Sequence, residues 1–273
     1  MRSPRENLSG LRRTLARLGQ GREQAAHGLF TCGAPVLDEL LGGGLARGAL
    51  HEVYAAATAD AAAASGFAAG LALRAAGKRP IAWVRQDFVD VETGRLHAPG
   101  LVEFGLHPDR LILIQVPDAA GVLKAGAEAL RCGALGAVLM EPWGSPKVLD
   151  LTATRRLALA AGQTSVTPFL IRLAAQPMAS AAATRWSVRA GASAALEANA
   201  PGFPVFSATL LRHRAGLPPR TWLVEWDRDR CAFDDAAPLS RRVVPVPVGG
   251  SLAAEHRPDA AEPFADTRIR RAG

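Results

Sequence analysis

Pro35-Val36-Leu37-Asp38-Glu39-Leu40-Leu41 reads as a short amphipathic helix, and Gly42-Gly43-Gly44-Leu45-Ala46-Arg47-Gly48 as the glycine-rich turn that ends it. The turn feeds His51-Glu52-Val53-Tyr54, a run of strand length and character. Behind the strand comes Ala55-Ala56-Ala57-Thr58-Ala59-Asp60-Ala61-Ala62, which leads into a small-residue helical stretch over residues 60–74. Helix, turn, strand and helix in this order make a locally coherent α/β unit.

The same alternation continues outward. Apolar runs of strand length fall at residues 50–54, 81–84, 111–116, 137–140 and 169–173, and helical stretches long enough for crossovers at 60–74, 119–131 and 148–161. Strand-crossover-strand alternation predicts an α/β fold with a mainly parallel, twisted sheet and flanking helices. From residue 186 the rhythm changes: 186–188, 205–211 and 222–226 follow one another without a long helix, with Leu217-Pro218-Pro219 as a turn. These runs predict an antiparallel edge.

Three domains are expected. Residues 1–28 form a basic amphipathic helix, capped by Ser3 with Glu6 closing a capping box, and stopped by Gly19 and Gly21. Leu8, Leu11, Leu15 and Leu18 line one face and Arg12, Arg13 and Arg17 the others. That leucine face either packs on its own domain or docks on a partner. Residues 29–233 form the core. Residues 234–273 lose periodicity and read as a flexible tail ending in Arg268-Ile269-Arg270-Arg271, a basic candidate contact for a partner.

Leu37-Asp38-Glu39-Leu40-Leu41-Gly42-Gly43-Gly44-Leu45-Ala46-Arg47-Gly48 closely resembles the entry to the RecA-type ATPase core. There a Leu-Asp-x-x-Leu-Gly-x-Gly-Leu-x-x-Gly element precedes a Glu-Ile-Tyr strand and a Gly-x-x-x-x-Gly-Lys-Thr phosphate loop. Laid on that loop, Ala55 and Asp60 replace the glycines, Ala61 the lysine and Ala62 the hydroxyl residue. The glycines let backbone N–H groups curl round phosphates, the lysine neutralises them and the hydroxyl holds magnesium. Asp60 adds a carboxylate where a phosphate would sit. The degenerate loop from Ala55 through Ala56, Ala57, Thr58, Ala59, Asp60 and Ala61 to Ala62 therefore predicts no productive ATP binding, no cofactor and no catalysis.

The resemblance spans residues 8–233. It places Glu141, at the end of the apolar run 135–140, where the family carries its magnesium-holding acid, and Asp87, after 81–86, where the catalytic glutamate stands. Both are vestigial acids on this reading. Residues 113–118 match the strand and turn before the next crossover, and 169–173 the strand before the family's second DNA-binding loop. The family's ordered DNA loops are not recognisable in this sequence.

Among RecA relatives with a ruined loop, the chain resembles the ImuA-type mutagenesis proteins of bacteria, a group also described as SulA-like. The basic leucine-patterned first helix, the degenerate loop, Glu141-Pro142-Trp143 and the polar tail carry that likeness. It implies a non-catalytic member of an SOS-induced, DNA-damage translesion synthesis complex. The implied partners are an inactive Y-family polymerase relative (ImuB-type) and an error-prone DnaE-type polymerase. Two alternatives stay open: a regulator that binds RecA and modulates its filaments, and a RecA-like ATPase with a remodelled loop.

Composition sets the outer limits. With 273 residues, 49% hydrophobic and 21% charged, the chain is globular and long enough to bury a core. A net charge of +7, from 29 Arg and 3 Lys against 25 acids, attracts polyanions, although Arg beside so much Ala is equally the mark of a GC-rich genome. Arg212, Arg214, Arg220 and Trp222 gather at one hairpin tip, where they are candidate contacts for single-stranded DNA or charges guarding an edge strand. Cys32, Cys132 and Cys231 are dispersed and read as reduced, buried thiols, with no zinc and no disulfide. The six histidines are scattered, and no sequence-local triad or metal motif appears. Ser65-Gly66 reads as a pair of small residues that permit close helix packing. The longest uncharged run, 157–171, is too short and too polar to span a bilayer, and no apolar signal core follows the N-terminus, so a cytoplasmic location is expected.

Overall fold

In the computed structural model, residues 27–55, 57–194, 200 and 202–236 are described. Leu8, Leu11, Leu15 and Leu18, the loop residue Ala56, and Arg268, Arg270 and Arg271 lie outside these residues. The described chain begins with a two-stranded antiparallel sheet, β1 (Leu29–Phe30) on β2 (Leu45–Ala46), with helix α1 (Pro35–Leu40) between them in sequence. The turn after α1 needs its glycines. Gly44 has φ +125°, and a Cβ there would stand 2.2 Å from the Phe30 carbonyl oxygen.

Strands and helices then alternate: β3 (His51–Ala55), α2 (Ala61–Ala76), β4 (Ile81–Gln86), α3 (Asp87–Thr93), α4 (Ala98–Glu103), β5 (Leu111–Val116), α5 (Ala119–Leu130), β6 (Ala137–Glu141), α6 (Leu151–Gly162) and β7 (Thr167–Arg172). Four strands, with no α-helix among the described residues between them, close the fold: β8 (Thr184–Ala190), β9 (Val205–His213), β10 (Arg220–Asp227) and β11 (Ala232–Asp235). They assemble one nine-stranded sheet in the order β11-β10-β9-β8-β3-β7-β6-β4-β5. The six strands from β8 to β5 are mutually parallel, and β8 to β11 pair antiparallel. The expected fold class, a mainly parallel sheet with flanking helices and an antiparallel edge, is what the chain adopts.

Burial explains the continuous apolar strands. Every residue of β3, β6 and β7 is buried, because one core cluster fills the α2 face of the sheet and a second fills the face under α5 and α6. Helix α2 is alanine-rich because it lies against the sheet and lets β10 and β11 close over it. A Cβ on its Gly70 would meet the Phe233 ring at 2.6 Å and the Trp226 ring at 2.9 Å. Those rings belong to an aromatic cluster in which Phe233 packs edge-on to Trp226 at 4.8 Å and Phe104 stacks on Trp226 at 4.7 Å.

Some boundaries differ from expectation. Helix α6 begins at residue 151, not 148, because the Asp150 carboxylate accepts the Ala153 N–H at 2.7 Å and caps it there. Helices α3 and α4 were not expected, and β11 carries the sheet past residue 233. Cys32 is buried but Cys132 is exposed and Cys231 half-buried, since both sit in turns. At the sheet edge, β5 leaves Ile112 50% and Leu113 46% exposed. No helix among the described residues is long and apolar enough to cross a membrane.

Candidate functional site

The parallel strands bring the ends of β3, β4 and β6 to one rim, with the N-terminus of α2 beside them. In an open α/β sheet this rim is where ligands bind. The loop from β3 into α2 is short and plain. Ala55 is buried as the last residue of β3, Ala57 is extended, and Thr58–Asp60 forms one 3₁₀ turn closed by the Asp60 N–H on the Ala57 carbonyl at 2.9 Å. Ala57, Thr58 and Ala59 are exposed; Ala61 is 3% exposed, its methyl turned into the core, and Ala62 is exposed. The Asp60 carboxylate faces away to β8, where it accepts the Ala190 N–H at 3.3 Å. Among the described loop residues there is no cation, and Thr58 supplies the one side-chain hydroxyl.

Glu141 ends β6, fully buried on the α2 face. Three donors surround its carboxylate: the Ser65 hydroxyl of α2 at 2.6 Å, the Trp83 indole at 3.0 Å and the Arg85 Nε at 2.7 Å. Register places Arg85 opposite Glu141 on neighbouring β4. The guanidinium also bonds Asp90, the Gly94 carbonyl at 3.0 Å and the Thr93 hydroxyl at 2.9 Å. Both carboxylate oxygens are thus engaged and a fixed positive charge stands 2.7 Å from one of them. A divalent cation drawn to Glu141 would have to displace Ser65 and face that guanidinium.

Asp87, the other expected acid, is exposed at the first position of α3 and bonds no described residue. Its neighbour Gln86 accepts the Trp143 N–H at 3.0 Å, and Phe88 meets the Trp143 ring edge-on at 5.7 Å, so Glu141-Pro142-Trp143 closes the rim. A hollow of about 220 Å³ remains between α2 and the segment after β4, lined by Ser65, Arg85, Arg95, His97 and Phe104 among others. Small-molecule sites usually have roughly 300–1,000 Å³.

On the opposite face, the segment 174–183 between β7 and β8 is tied down. Ser180 and the Arg185 Nε both donate to Glu52, at 2.8 and 3.0 Å, and Arg185 also bonds the Met178 carbonyl. Arg212 donates to the Ser180 carbonyl at 3.2 Å and Arg214 to the Ala181 carbonyl at 3.1 Å. Arg172 is completely buried above the Tyr54 ring, 5.4 Å from its centroid, with Nε unpartnered. Burial and Glu52 raise the Tyr54 hydroxyl above its ordinary pKa, against the pull of Arg172 and Arg185.

The four candidate DNA contacts therefore separate. Arg212 and Arg214 are partly committed to the 174–183 segment, and Arg220 lies over the Trp222 ring at 5.7 Å. Trp222 itself is 9% exposed and packs on Trp186, so the base-stacking role expected of it is corrected: alternation along β10 turns Trp222, Val224 and Trp226 into the α2-side core. Sequence reasoning missed Arg85, Trp83, Ser65, Glu52, Arg172 and Arg185 as parts of these sites. The available signal was a charge inside each apolar strand run, at Arg85, Glu52 and Arg172.

No family model and no curated protein matches the sequence. Among solved structures, the crystal structure of the RadB recombinase matches with a TM-score of 0.51 and 16% identity, covering 77% of this chain and 100% of that one. At that identity the likeness speaks for architecture: the chain has a RecA-like fold.

Proposed function

We propose that the chain is a non-catalytic, RecA-fold accessory protein of a damage-induced translesion synthesis complex in the cytoplasm. It works by recruitment, joining an inactive Y-family polymerase relative to an error-prone DnaE-type polymerase. One observation carries the non-catalytic half: the acid at the end of β6, Glu141, is bound to Arg85, Trp83 and Ser65 instead of facing an open site. The loop beside it supplies neither the lysine nor the glycines that a polyphosphate needs. The partners rest on the resemblance to ImuA-type proteins alone.

Isothermal titration with ATP and magnesium, run beside co-purification with the polymerase relative, tests both halves. No heat up to millimolar ATP together with a stable complex is the expected result. Micromolar ATP binding that Glu141→Gln abolishes would overturn the non-catalytic half, and failure to co-purify would overturn the recruitment half.

A further inference from the structure

On the sheet face away from the nucleotide-loop position, α5 and α6 enclose a groove of about 250 Å³. Its floor is aliphatic: Leu123 and Ala127 from α5, Ala153 and Leu157 from α6, and Val148, half of whose surface is exposed. Lys124 and Arg156 line the same groove, and Lys147 and Arg155 adjoin it in sequence, all four exposed. None of the four forms an ion pair or side-chain hydrogen bond with a described residue. The neighbouring acids are already engaged: Glu128 pairs with Arg131 at 2.7 Å and Asp150 caps α6.

Such an arrangement has an unspent preference. An apolar hollow below the usual size of a small-molecule site fits one or two side chains, and the unpaired cations around it favour carboxylates. Nucleic acid fits less well, because single strands bind on aromatic platforms and this floor has no ring. We infer that the α5–α6 groove is a docking site for an acidic peptide segment of a partner protein. Its one or two bulky apolar side chains seat over Leu123, Val148 and Leu157, and its carboxylates meet Lys124 and Arg156. The assignment does not depend on which assembly the protein serves, and it concerns a face that the Glu141 cluster does not touch.

Panning a library of random dodecapeptides on the immobilised full chain tests this, followed by fluorescence anisotropy of the recovered peptides. Recovered sequences should carry net negative charge and a leucine or aromatic residue. Their affinity should fall about tenfold in Lys124→Glu/Arg156→Glu and several-fold between low and high salt, while Lys78→Glu, in the turn after α2, leaves it unchanged. All substituted residues are exposed, and circular dichroism verifies that each variant folds. No enrichment, recovery of neutral or basic peptides, or equal binding by the double variant would overturn the proposal. So would an oligothymidine that binds the wild type and loses that binding in the double variant while the acidic peptides keep theirs.

Discussion

Glu141 and Glu52 are both completely buried, and each faces an arginine on a neighbouring strand, Arg85 on β4 and Arg185 on β8. Their surroundings differ. Around Glu141 every acceptor is used and the guanidinium spends its donors on Glu141, Asp90, Gly94 and Thr93. Around Glu52 one carboxylate oxygen has no partner among the described residues, and a second buried arginine, Arg172, has an unpartnered Nε and hydrogen-bonds the Tyr54 hydroxyl at 3.4 Å and the Met178 sulfur at 3.9 Å. One cluster holds a single guanidinium between two carboxylates, the buried Glu141 and the partly exposed Asp90; the other holds one cation more than its single carboxylate neutralises. A buried pair resists loss of a partner, whereas a surplus buried charge contributes little or works against stability.

The same substitution at two arginines puts this difference under the greatest strain. Arg85→Met should lower unfolding free energy by about 3–5 kcal/mol in chemical denaturation, because it strands Glu141. Adding Glu141→Gln should restore at least half of that loss, since the neutral amide accepts the Trp83 indole at its oxygen and donates from its nitrogen to the Ser65 hydroxyl. If Arg85→Met is silent, the closed cluster is not a charge pair holding the rim together.

Acid titration gives the next effect. His51, on β3, donates from Nε2 to the Ala46 carbonyl at 2.9 Å and accepts the Thr184 hydroxyl at Nδ1, 2.7 Å, while Thr184 in turn accepts the Trp186 indole at 2.9 Å. The chain is satisfied only by a neutral imidazole, and burial pushes the pKa from 6.5 down to about 4. The unfolded chain takes up the proton first. The contribution of His51, about 3 kcal/mol, is therefore whole above pH 6.5 and is lost as the pH falls through 4. Denaturation midpoints between pH 7 and 4 should decline in the wild type and decline less in His51→Gln; equal slopes would remove His51 as the cause.

Smallest is Arg172→Met. It leaves Arg185 and Glu52 as a neutral pair, so stability should stay within about 1 kcal/mol of the wild type, with gain the favoured direction. A loss as large as that of Arg85→Met would erase the contrast between the clusters.

These clusters mark the limit of what the amino-acid string revealed. The parallel strands could be read because each is a continuous apolar run, and the antiparallel edge because the runs over residues 186–226 follow one another without a long helical pattern. The altered loop could be read because each missing residue has a known chemical task. The Arg85–Glu141 pair could not, because it joins residues 56 apart through strand register, which local periodicity does not encode. The 174–183 segment has no period at all. Trp222 stands among basic residues in the sequence, which suggests an outward role, yet strand alternation turns it inward and leaves Leu223 49% exposed. Helices α3 and α4, seven and six residues long, are too brief to show a repeat.

The two rims of the sheet are guarded unequally. Strand β11 is four residues long and ends in Asp234 and Asp235, a short and charged border that another sheet cannot easily extend. Strand β5 is Leu-Ile-Leu-Ile-Gln-Val, uncharged throughout, with half of Ile112 in solvent and no strand beyond it among the described residues. Such a border is a template for further strands, and its danger grows with the number of copies that can find one another. Association of the isolated chain should therefore rise with its concentration, and a charge placed on that border by Ile112→Lys should delay it.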